Sequence, residues 1–201
     1  MANQFLHEYL ADTIMIRHCL FLFLNLIFVQ QLFAQSTIDT AAIKKELKSI
    51  YERDQKTRKH GDSTEFVNYI DSCNQVQVKL LIDKYGWLGK SVIGNYNQVL
   101  FLVIQHADSA TQEKYFPLLQ QSVSEGESSV IDLAMMQDRL LMRRGQNQIY
   151  GSQVVTDGNG GWKFFPIEDE RNVNIRRAKI GMEPIEEYAK YFGIDYKLPE
   201  K

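Results

Sequence analysis

Between residues 40 and 144 apolar residues recur at three- and four-residue spacing, and at Gly145 that pattern stops; this change of texture limits the fold more than any other feature. Asp39 or Thr40 is placed to cap a helix reaching about Arg58, in which Ile43, Leu47, Ile50 and Tyr51 share one face. Beyond Gly61-Asp62-Ser63 a second helix is expected over Val67 to Tyr85, with Ile70, Val78 and Leu81 inward and Gly86 as its stop. The apolar run Val99 to Ile104 has the β-branched content of a buried strand, but its helical neighbours favour a core helix. Further helices are expected from Ser109 to about Ser124, bent at Pro117, and from Ser128 or Ser129 to Arg144.

After Gly145 the signals are those of a hairpin. Ile149 to Val155 and Trp162 to Phe165 flank Asp157-Gly158-Asn159-Gly160-Gly161, a strong turn sequence. Two short helices follow, one opening at Asp169 and Glu170 and ending at Gly181, the other starting at Pro184 with Glu186 and Glu187 in its first turn. The expected fold is mainly α (α+β), a single domain over residues 35–201, with about five to seven helices and one β-hairpin near residues 148–166.

Residues 1–34 read as an upstream extension followed by a signal peptide. Arg17 and His18 precede an apolar run from Cys19 to Val29 broken only by Asn25, and Gln30, Gln31 and the small Ala34 follow, as in cleaved signals. Glu8 and Asp12 suit no signal, so Met15 is a candidate start. The run is shorter than the ~20 residues of a membrane span. A periplasmic or secreted protein, off the membrane once the signal is removed, is the expectation. Cleavage after Ala34 leaves Cys73 as the only cysteine, which permits no internal disulfide and no thiolate metal cluster.

The charge balance, 23 Lys+Arg against 25 Asp+Glu, offers no basic excess to neutralise a phosphate backbone, so nucleic acid is not an expected partner. Beyond residue 34 only His60 and His106 could supply imidazole ligands, and no metal site is expected. The glycine patterns of nucleotide and dinucleotide sites and the Gly-x-Ser-x-Gly elbow are missing, and no cofactor is expected.

Chemistry is then sought among polar residues that fall on apolar faces, because burying one unpaired costs ~1–3 kcal/mol. Asp54 continues the stripe Ile43, Leu47, Ile50, with Arg58 one turn on; His106 follows Val99 and Leu102; Asp138 lies between Ala134 and Leu141. Structural roles remain open for each: bonding to backbone amides or to Arg53, Arg58 or Arg139, and, for Asp108 beside His106, capping the helix at Ser109.

The strings Asp54-Gln55-x-x-Arg58, Gly86-Trp87, Gln105-His106-Ala107-Asp108, Asp138-Arg139, Gln148-x-Tyr150-Gly151-Ser152-Gln153 and Arg176-Arg177-Ala178, then Gly181 and Pro184, together resemble an uncharacterised bacterial family classed as a domain of unknown function. The resemblance runs from about Leu47 to Tyr188, with Ser152 where threonine is expected. It implies recurring polar motifs and no established reaction. It adds Gln55, Gln153, Arg176 and Arg177 as possible pocket members.

Two functions are open. One is a small hydrolase or lyase with His106, Asp108, Asp54 and Asp138 as catalytic candidates, and Gln55, Arg58, Gln105, Arg139, Tyr150, Gln153, Arg176 and Arg177 as substrate contacts, the arginines holding an anionic group. The other is a noncatalytic module whose partner is a small molecule or a protein.

Overall fold

Side-chain caps at Ser63, Asp108 and Ser129 mark where three of the longer helices begin. The computed structural model describes residues 38–199, so the signal-peptide reading lies outside the described residues. Helix α1 spans Thr40–Lys59 and α2 spans Thr64–Tyr85, the latter capped by Ser63, whose hydroxyl accepts from Phe66 N–H. A single turn, α3 (Lys90–Ile93), and a 3-10 turn (Gly94–Tyr96) lead into α4 (Asn97–Ile104). Helices α5 (Ser109–Ser124) and α6 (Val130–Arg143) follow, capped by Asp108 and Ser129. The antiparallel pair β1 (Val154–Thr156) and β2 (Trp162–Phe164) comes next, then a 3-10 turn (Glu170–Asn172), α7 (Val173–Lys179) and α8 (Ile185–Lys190). The fold is mainly α with a small β part, with seven helices of six or more residues among those described.

Residues 40–199 belong to one compact unit. Within it the apolar side chains form two cores. The larger joins Leu47 and Ile50 of α1, Val78 and Ile82 of α2, Leu100 and Ile104 of α4, Tyr115 and Leu119 of α5, and Met136 and Leu140 of α6. The smaller gathers Ile167, Val173 and Ile185 beneath Phe164, Tyr196 and Leu198. Val99–Ile104 is helical, as the core-helix reading expects: in a helix its wide apolar surface meets α1, α2 and α5 together.

Three departures from the sequence reading bear on the site. The single turn α3 and the 3-10 turn after it carry no amphipathic period, and Glu127 holds α3 from across the molecule by accepting from Ser91 N–H (2.7 Å) and, through its carbonyl, from Lys90 N–H (3.0 Å). This approach is close enough that a Cβ on Gly89 would sit 2.5 Å from Glu127 Cβ. Next, α4 ends at Ile104, so His106 lies in the turn before α5 rather than on a helix face. Finally, β1 begins at Val154 instead of Ile149, because residues 148–153 are bonded elsewhere.

Candidate functional site

The polar residues picked out by sequence fall into two arrangements, and a cavity lies beside one of them. The first arrangement is a knot around Asp138. That carboxylate is fully buried and accepts from the backbone N–H of Ile149 (2.7 Å), Tyr150 (3.1 Å) and Ser152 (3.0 Å) and from the Ser152 hydroxyl (2.9 Å). Gln148, also fully buried, donates to the carbonyls of Gln153 and Phe165 and accepts from Gln153 N–H. Gln153 donates to Met135 carbonyl and to Ser152 Oγ. Arg176 donates to the carbonyls of Ile149, Glu168 and Asp169. Arg177, 1% exposed, donates to Tyr150 and Glu183 carbonyls and stacks on Tyr188. These donors and acceptors satisfy backbone groups that irregular chain would otherwise leave buried and unpaired. Asp138, Tyr150, Gln153, Arg176 and Arg177, expected as pocket groups, are brought together here, and their bonds hold a loop in place.

The second arrangement sits at the end of α4. Arg58 bridges Asp54 (2.9 Å) and Asp71 (2.8 Å), and Gln55 donates to Asp54 at 3.0 Å. Arg139 donates to the Gln105 carbonyl (3.1 Å), which Gln112 also caps (2.7 Å). Its neighbour Asp138 points a further 100° around α6, which sends the two side chains to different places. The His106 imidazole makes no side-chain hydrogen bond among the described residues. Burial first, then the positive charges of Arg58 and Arg139, hold its pKa down at about 4, against the smaller opposing pull of Asp71 and Asp54. Asp54 and His106 thus share a polar cluster, while Asp138 belongs to the knot. Asp108 is exposed and caps α5, its carboxylate accepting from Thr111 N–H (2.8 Å) and Thr111 hydroxyl (3.0 Å). Those bonds hold its own pKa below the usual carboxylate value.

Beside this cluster a cavity of about 590 Å³ opens between α1, the 3-10 turn, α4 and α6. Tyr51, Val99, Phe101, Leu102 and Met135 give it largely apolar and aromatic walls, and the sequence candidates Gln55 and Gln105 lie on its lining. Among the described residues no lysine, arginine or histidine lines it. Asp132 does, only 7% exposed, and sequence reasoning did not single it out. Desolvation raises its pKa to about 6. Ser129-x-x-Asp132 has the look of a capping box, which would absorb the carboxylate into helix capping. In the structure Ser129 caps Asp132 N–H, but the Asp132 carboxylate returns no bond and lies at the cavity instead.

Asn97 explains why α6 starts where it does: its amide donates to Glu127 carbonyl (2.7 Å) and Ser128 Oγ (3.1 Å), tying the approach to α6 against α4. That tie brings Asp132 to the cavity wall.

The fold and cavity define a mainly helical domain with a half-open, mostly apolar site. The chain belongs to the Family of unknown function (DUF6624), whose model matches residues 29–201. No curated protein and no solved structure matches it.

Proposed function

We propose that this is an exported, noncatalytic module that binds a small organic molecule in the cavity between α1, α4 and α6. The observation that carries the reading is the cavity itself: about 590 Å³, within the ~300–1,000 Å³ of ordinary ligand sites, apolar in its walls and edged by a few amides and phenols. Export rests on the order of charge, apolar run and small residue in residues 15–34. The hydrolase or lyase alternative has one observation in its favour, an imidazole free of hydrogen bonds beside two arginines. Against it, an imidazole with a pKa near 4 is a weak base, and Arg58 is already held by two carboxylates.

The test uses N-phenyl-1-naphthylamine, a neutral dye that brightens in apolar sites. One dye should bind per chain. Leu102→Trp, which fills the cavity, should weaken binding at least tenfold, while His106→Ala leaves it unchanged. Equal binding to parent and Leu102→Trp would overturn the cavity reading, and loss of binding in His106→Ala would favour the catalytic cluster instead.

A further inference from the structure

Resting on the binding reading, the site also has a charge preference. A carboxylate taken nine-tenths out of water normally meets an arginine, a lysine or several N–H groups, as Asp138 and Asp54 do here. Among the described residues Asp132 meets none of these: its side chain has neither a hydrogen bond nor an ion pair, and no cationic side chain lines the cavity it borders. The other polar groups on the lining are amides and the phenols of Tyr51 and Tyr96. A folded chain that keeps a carboxylate in this setting has left its counter-charge to come from outside.

We propose that the cavity is built for a cationic ligand, an ammonium or other protonated nitrogen on an apolar body, with Asp132 as the ion-pair partner of that nitrogen. The walls fit both ends of such a molecule. Leu102, Val99 and Met135 take the hydrocarbon, and the aromatic residues Tyr51, Tyr96 and Phe101 line the same cavity, where a ring face met by a cation attracts it. Asp132 also lies in the first turn of α6, where the backbone N–H groups favour the charged carboxylate. With its pKa at about 6 it is ionised at pH 7.5 and neutral at pH 4.5. The other titratable groups lining the cavity, from α1 and from the 3-10 turn, are the phenols of Tyr51 and Tyr96.

Three eight-carbon probes that differ only in head group separate the possibilities: n-octylammonium, 1-octanol and octanoate, each titrated calorimetrically against the full protein. At pH 7.5 the parent should bind octylammonium at least tenfold more tightly than octanol, and octanoate least of all. The tenfold preference should vanish in Asp132→Asn, with octanol binding intact, and vanish likewise in the parent at pH 4.5. Asp132→Asn should melt no lower than the parent at pH 7.5, since the carboxylate holds no other group in place. The pH arm needs no variant, so a misfolded mutant does not decide the matter. A preference for octylammonium that survives both Asp132→Asn and pH 4.5, or octanoate binding as tightly as octylammonium, overturns the cationic-ligand inference. Octanol and the dye binding in the same cavity would then leave the cavity reading standing. If none of the three probes binds, both fall.

Discussion

The imidazole of His106 is half-buried beside Arg58 and Arg139, and its protonation is the clearest pH-dependent event among the described residues. The folded-state pKa, about 4, lies below the ordinary 6.5. As pH falls through that window the unfolded chain takes up a proton that the folded chain declines, so stability is intact above about pH 6.5 and the loss is complete below about 4. The shift corresponds to a loss of ~3 kcal/mol at most. Urea melts at pH 7 and pH 4 should show the parent losing ~2–3 kcal/mol more than His106→Gln over that interval. At pH 7, His106→Ala should change stability by less than ~1 kcal/mol, because no donor or acceptor is stranded when the ring leaves. Equal acid sensitivity in parent and His106→Gln would show that the imidazole is not held in its neutral form.

At the scale of elements, the segment 148–153 has no helix or strand ladder of its own, and one carboxylate holds three of its amides. Asp138 accepts from three of its amides and one hydroxyl, and Gly151 within it adopts a φ of +67° with Ile185 Cδ1 2.5 Å from where a Cβ would stand. Asp138→Ala strands these donors in a dry site and should cost ~3–5 kcal/mol, several times the loss at His106. Gly151→Ala is strained both in its backbone and against Ile185 and Ile167, and should also destabilise. In Asp138→Ala the amides of Ile149, Tyr150 and Ser152 should exchange hydrogen far faster than those of α1. Unchanged exchange at these three amides would mean that the knot is held by Gln148 and the arginines without Asp138.

For the whole molecule, the larger core draws on α1, α2, α4, α5 and α6, and the cavity lies along three of these helices, so a ligand held there would stabilise the fold of residues 40–199. The export expectation belongs at this scale too. Material recovered outside the cytoplasm should begin at Gln35, which amino-terminal sequencing reads directly. An uncleaved chain found only in the cytoplasm would end the export reading and leave the cavity untouched.

Residue order by itself determined the longer helices, because a 3.6-residue apolar period, a Ser or Asp cap and a stop residue are local signals: Asp108 and Ser129 cap where the pattern says they should, while Ser63 starts its helix three residues before the expected Val67. The hairpin was legible from its glycine-rich turn, and the burial of Asp54 and Asp138 from their places on apolar stripes. What those carboxylates do was not legible. Period shows that a side chain points inward but not what waits there. Asp138 meets three amides from 11 to 14 residues on, and Asp54 meets a guanidinium of its own helix. Asp132 was hidden by its position, since an acid three residues after a serine cap has a sufficient local explanation. Only the tertiary packing, through Asn97, Glu127 and the α3 turn, brought it to a cavity wall without a partner, because a cavity is the space several helices leave between them and no single stretch of sequence encodes it.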